Sequence, residues 1–147
     1  MIGGQVLDMD GENKNLSLEQ LKQVHRLKTR ALLTASCRMG AIACQTPFNS
    51  VSPASLDAVT RFGQHLGLAF QIVDDVLDVT STAEQLGKAT RKDASRGKNT
   101  YPGLLGLEVS QQMARDELSA ALNAIETLGP AADGLRALAR FVVERTV

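Results

Sequence analysis

Apolar residues recur at intervals of three and four along most of the chain, separated by short polar stretches, the pattern of amphipathic helices rather than strands. Residues 1–16 are the exception: rich in Gly, Asp and Asn and with little periodicity, they are predicted as a loop. Ser17 followed by Gln20 forms a capping box, and helical spacing then continues to about Cys44, with Thr46-Pro47 closing this first long helix. Ser52 caps a second helix with Pro53 at its first position, where the missing N–H costs nothing. That helix is predicted to end at about Val79. A connection from Thr80 to Asn99 follows, with at most a short turn near Glu84–Leu86 ended by Gly87. Such length is uncommon in a compact domain unless the segment is functional. Helix restarts at Tyr101-Pro102, continues from about Glu108 to Leu128, breaks at Gly129-Pro130 and resumes from about Ala132 to Arg145. With no internal repeat or interdomain linker, residues 1–147 read as a single all-α domain, a helical bundle.

Composition narrows the function classes. Aromatics are only 3% of the residues and Trp is absent, which disfavours a β-sandwich or barrel. Sixteen basic residues balance sixteen acidic ones, so no global charge draws the chain to nucleic acid or to an anionic membrane. No apolar run approaches the ~18 residues of a membrane span, and the opening MIGGQVLDMD is not a signal peptide. Cys37 and Cys44 fall on one predicted helix with Cα atoms roughly 10 Å apart, beyond disulfide reach. They are expected to be buried thiols of a soluble, cytoplasmic protein.

The densest chemistry lies at the end of the second helix, in Gln71-Ile72-Val73-Asp74-Asp75-Val76-Leu77-Asp78. At about 100° per residue, Gln71, Asp75 and Asp78 all fall within about 100° of Asp74. Three carboxylates so close to one another and to a helix C-terminus repel unless a cation joins them. Oxygen donors without Cys or paired His favour Mg²⁺, which completes its shell with water and phosphate oxygens. The alternative is a solvated acidic helix end. Gly63 and Gly67 share this side of the helix, and they suggest either a cavity leading to the carboxylates or close packing against another helix. Lys28 emerges from an apolar stripe of Val24, Ala31, Leu32, Ala35, Met39 and Ile42, where its ammonium either meets an anion or snorkels to water. Thr29 beside it offers a hydroxyl. In the long connection Lys88, Arg91, Lys92, Arg96 and Lys98 face only Asp93, a cationic segment suited to a polyanionic, phosphate-bearing substrate; the alternatives are solvated surface or a nucleic-acid patch, the latter disfavoured by the lack of interleaved aromatics. Asp8-Met9-Asp10-Gly11-Glu12 lacks the glycine position of a calcium loop, and His25 and His65 have no metal partner at helical spacing.

These residues, in this order, resemble the trans-isoprenyl diphosphate synthases of the polyprenyl synthetase family. Phe62-Gly63 and Leu66-Gly67-Leu68-Ala69-Phe70-Gln71-Ile72-Val73-Asp74-Asp75-Val76-Leu77-Asp78 are similar to the family's second aspartate-rich motif. Gly3-Gly4-Gln5 with Asp8, Lys28-Thr29, Gly87-Lys88, Asp93 and Gly97-Lys98-Asn99-Thr100-Tyr101-Pro102 resemble its other landmarks, and the likeness runs the length of the chain. The resemblance implies an isoprenoid-synthase-type helical fold and a Mg²⁺-dependent condensation of isopentenyl diphosphate with an allylic diphosphate. By position, Asp74 and Asp75 would be the principal Mg²⁺ ligands with Asp78 close by or acting through water. Lys28 and Lys88, with Lys98, would hold the diphosphate, and the Thr29 and Gln71 dipoles would face the developing cation. Met1 aligns inside the family pattern, so the first aspartate-rich motif and the isopentenyl diphosphate site of an N-terminal half have no counterpart here. The chain is therefore expected to pair, as a homodimer or with such a half. A non-catalytic partner or regulatory subunit of a full-length synthase is the alternative.

Overall fold

A computed structural model of the chain describes residues 2–12, 14–46, 50–86 and 99–145, apart from the side chains of 81–86. The described helices are α1 (Ile2–Gly11), α2 (Leu18–His25), α3 (Ala31–Ala43), α4 (Pro53–Leu86), α5 (Tyr101–Leu105), α6 (Leu107–Ala124) and α7 (Asp133–Glu144). A π-helical turn, Arg26–Arg30, joins α2 to α3, and a 3-10 segment, Glu126–Ala132, joins α6 to α7. Among the described residues there is no strand, in agreement with the all-α expectation. Three predicted starts hold at atomic detail. The Ser17 hydroxyl and Gln20 carboxamide cap each other's N–H groups, the Ser52 hydroxyl accepts from the Ser55 N–H at 3.0 Å, and the Thr100 hydroxyl accepts from Gly103 at the head of α5.

The core is organised around α4, which packs against α3 on one side and α6 on the other. Ala58, Phe62, Leu66, Ala69, Val73 and Val76 repeat at helical spacing along its buried face. Phe62 and Leu66 cluster with Ala121 and Ile125 from α6 and its end and with Ala139 and Val142 from α7, while Val73 and Val76 cluster with Ala114 of α6. The fully buried side chains of Phe62, Ile72 and Ile125 each contribute about 2–3 kcal/mol by leaving water.

Four expectations need correction. Residues 2–11 are helical, not a loop: the glycines that erase periodicity let α1 lie directly on the π turn, where a Cβ on Gly4 would collide with the Lys28 amide nitrogen. The second helix continues past Val79 to Leu86, because neither Gly nor Pro interrupts it before Gly87. Residues 87–98 of the predicted connection, including Lys88, Arg91, Lys92, Asp93, Arg96 and Lys98, lie outside the described residues. The stripe from Val24 to Ile42 is not one face. The widened π turn shifts the register, leaving Val24 buried while Leu32, Met39 and Ile42 are exposed. Finally, Gly63 and Gly67 are helix contacts rather than cavity walls: a Cβ on Gly63 would lie 2.9 Å from Thr34 Cα, and one on Gly67 2.8 Å from Arg30 Cα. Smaller differences are that α6 ends at Ala124, where Ile125 leaves helical geometry, and that Cys44 is exposed although Cys37 is half-buried.

Gly67→Ala should therefore lower stability by about 1–3 kcal/mol through overpacking. Gly3→Ala, with open space around it, should be neutral or stabilising by up to about 1 kcal/mol. Urea denaturation of the two variants against wild type checks the contrast.

Candidate functional site

The close approach at the two glycines sets the register of everything above it. The chain through α2, the π turn and α3 runs antiparallel to α4, with Thr34 beside Gly63, Arg30 beside Gly67, and Thr29 and His25 on Gln71. Arg38 donates to Thr60 at 2.9 Å and Arg30 to Gln64 at 3.2 Å along the same seam. Beyond Gln71, the next two turns of α4 carry Asp74, Asp75 and Asp78.

A connected polar network results. The Thr29 hydroxyl donates to Gln71 Oε1 at 3.1 Å, His25 Nδ1 lies 2.8 Å from the same oxygen, and Gln71 Nε2 donates to Asp74 Oδ2 at 3.3 Å. The other Asp74 oxygen is paired with the Arg145 guanidinium, which lies 4.5 Å over the Phe70 ring. Asp75 Oδ2 accepts the Tyr101 N–H at 2.9 Å, so the head of α5 is tied to the carboxylate turn. Lys28 Nζ forms an ion pair with Asp8 of α1 at 2.5 Å. Asn99 closes the turn between α1 and α2, accepting from the Leu16 N–H and donating to the carbonyls of Gly11 and Lys14.

A model of the polyprenyl synthetase family matches residues 1–130. The chain belongs to the polyprenyl synthetase family. It is 40% identical over 145 residues to the farnesyl diphosphate synthase of Micrococcus luteus, covering 99% of this chain and 48% of that one. It is 38% identical over 148 residues to the Escherichia coli (strain K12) farnesyl diphosphate synthase, again covering 99% of this chain and 48% of the other. Among solved structures it is similar to a putative farnesyl-diphosphate synthase from Marinomonas sp. MED121, with TM-score 0.77, 35% identity, and 97% and 46% of the two chains covered. The geranyltransferase of Helicobacter pylori, solved with magnesium and isoprenyl diphosphate, matches with TM-score 0.73 and 36% identity over 98% of this chain and 46% of that one. The chain thus spans about half the length of the relatives it matches.

Of the residues singled out from the polyprenyl synthetase pattern, Lys28, Thr29, Gln71, Asp74, Asp75 and Asp78 lie in or beside this network, whereas Lys88 and Lys98 fall outside the described residues. Sequence reasoning assigned no role in this network to four contributors, although Asp8 and Tyr101 are among the landmarks of the family pattern. His25 precedes Thr29 by one helical turn and so shares its face, a signal that was present in the spacing. Asp8, Tyr101 and Arg145 arrive from other helices, and no local pattern announces their contacts. His65 has a separate partner, Glu117, at 2.7 Å.

Electrostatically the carboxylate turn is under load. Burial raises the pKa of Asp74, against the lowering effect of Arg145. Burial also pushes Asp75 from 3.8 up to about 6, reinforced by the neighbouring charges of Asp78, Asp74 and Asp8 and only partly offset by the Tyr101 N–H. His25 is lowered, chiefly by burial. Among the described residues no three His, Cys, Asp or Glu side chains converge closely enough to enclose a metal by themselves.

Because the folded-state pKa of Asp75 lies above the unfolded value, its charge destabilises the fold fully above about pH 6, and the penalty disappears as pH falls toward 4. Asp75→Asn keeps an acceptor for the Tyr101 N–H and removes the charge. In EDTA at pH 7 the variant should be more stable than wild type by about 1–3 kcal/mol, with the gap closing between pH 6 and 4. Chemical denaturation across that range reads it out. A less stable variant at pH 7 would contradict the assignment.

Proposed function

We propose that this chain carries the magnesium–diphosphate half of a prenyltransferase site, used in the condensation of isopentenyl diphosphate with an allylic diphosphate. The observation that carries the reading is the antiparallel register that links Thr29 through Gln71 to Asp74, with the Lys28–Asp8 ion pair on the neighbouring π turn and α1, in a chain of the polyprenyl synthetase family. The donor chemistry fits Mg²⁺. The ligands are oxygens, their mutual repulsion is only partly neutralised, and no complete protein shell is built among the described residues, which suits an ion that keeps waters and takes phosphate oxygens. Asp74, Asp75 and Asp78 would hold it, and bound there it would draw charge from the leaving diphosphate.

The chain's own residues supply the rest. Lys28 keeps its ammonium beside Asp8, and a diphosphate oxygen can take over that pairing because the part-exposed Asp8 carboxylate can turn to water. Thr29 and Gln71, tied to each other, present fixed dipoles whose orientation does not have to reorganise as cationic charge develops on the allylic carbon. Lys88 and Lys98 would add further donors to the diphosphate. The glycine face is filled by α3 and the π turn, so the prenyl chain is accommodated elsewhere than along Gly63 and Gly67.

The exposed apolar side chains of Leu32, Met39 and Ile42 on α3, 52%, 61% and 47% accessible, support pairing of this face with a second copy or with a chain bearing the remaining family length. The same observation favours a second reading, a non-catalytic partner of a full-length synthase. Among the described residues no helix is long and apolar enough to cross a membrane, and the free thiols of Cys37 and Cys44 suit the cytoplasm.

Two measurements test this. Titration calorimetry should show pyrophosphate binding strengthened at least about tenfold by Mg²⁺, and that gain should vanish in Asp74→Ala; affinity indifferent to metal or to the substitution would sink the site. Light scattering at micromolar concentration should give a mass well above 15.7 kDa, whereas a stable monomer would mean that the α3 face needs no cover.

A further inference from the structure

We propose that His25 is a positioning residue of this site: through Nδ1 it fixes which way the Gln71 amide faces and thereby supports Asp74. The inference rests on the diphosphate-site reading above. Asp74, ion-paired with Arg145, presents a carboxylate that only accepts hydrogen bonds, so the Gln71 atom 3.3 Å from it must be the amide nitrogen. The opposite end of the amide, facing Thr29 and His25, is then the carbonyl oxygen. A lone pair of that oxygen 2.8 Å from His25 Nδ1 requires a hydrogen on the ring nitrogen, so His25 is held as its Nδ1–H tautomer.

The Thr29 hydroxyl, 3.1 Å away, does not discriminate, because it can turn to donate or to accept and satisfies either amide orientation. His25 is the partner on that side that selects one. With its donor removed, the amide is free to turn its oxygen toward Asp74, which weakens the support of that carboxylate.

The place of His25 in the fold gives it reach to both principal carboxylates. Its ring lies 5.5 Å from that of Tyr101, the residue whose backbone N–H donates to Asp75. Asp8 from α1, Lys28 from the π turn and Asp74 from α4 are the charged groups acting on it; burial lowers its pKa, Lys28 acts in the same direction, and Gln71, Asp8 and Asp74 oppose them. A histidine that only filled space would need no particular tautomer.

The first test needs neither ligand nor substitution at His25. Long-range proton–nitrogen NMR correlations of the ¹⁵N-labelled full chain in EDTA at pH 7.5 should show a protonated Nδ1 and an unprotonated Nε2. His65→Gln assigns the signals, since the chain has 2 histidines. An Nε2–H tautomer for His25 overturns the proposal. The second test is calorimetry with Mg²⁺ and pyrophosphate. His25→Asn, which offers an amide N–H near the Nδ1 position, should bind within about threefold of wild type, while His25→Leu should bind about tenfold more weakly, the loss of about one hydrogen bond. Equal losses in both variants, or none in His25→Leu, also overturn it. If the wild type takes up no Mg²⁺–pyrophosphate, the diphosphate-site reading fails, and the tautomer measurement still decides the role of His25.

Discussion

The contact on which the rest depends is the backbone approach of α4 to the antiparallel segment beside it. At Gly63 and Gly67 there is no room for a Cβ, because Thr34 Cα and Arg30 Cα occupy the space that one would need. Two points of contact one helical turn apart fix both the separation and the register of two helices. Once they are set, the next turn of α4 must present Gln71 to Thr29 and His25, and the turn after that carries the carboxylates. Gly4 makes a third approach of the same kind, seating α1 on the π turn at Lys28, and Asp8 meets the lysine one turn later.

This geometry concentrates negative charge where water is partly excluded. Asp74 draws on Arg145 from the end of α7 and on the Gln71 amide, while Asp75 has a backbone N–H. Neither arrangement offsets the cost of burial, which is the main reason both pKa values rise; the charge of Asp78 adds to it at both carboxylates and that of Asp8 at Asp75. Such partly buried, mutually repelling carboxylates lower stability, a cost that the proposed magnesium–diphosphate site would account for. The π turn belongs to the same trade. It disturbs regular helical bonding, and in return it lets α2 keep Leu21 and Val24 in the core while α3 follows a different face along α4.

Helix content, the caps at Ser17, Ser52 and Thr100-Tyr101, and the cluster of Gln71, Asp74, Asp75 and Asp78 on one face are local properties of spacing and side-chain chemistry, and the amino-acid sequence determined them by itself. Helix α1 escaped local reasoning because its glycines lower intrinsic propensity while enabling the tertiary contact that makes it helical. The end of α4 escaped for the opposite reason: polar Thr80-Ser81-Thr82 loses apolar periodicity without containing a helix breaker. Periodicity carried across residues 26–30 failed because one widened turn rotates everything after it. Whether Gly63 and Gly67 lined a cavity or a helix contact, and whether Lys28 met an anion of the chain itself, depended on which backbone came alongside. Only the tertiary structure decided those points, together with the Arg145, Tyr101 and His25 contacts, because each joins residues far apart in sequence whose meeting is set by helix packing rather than by local spacing.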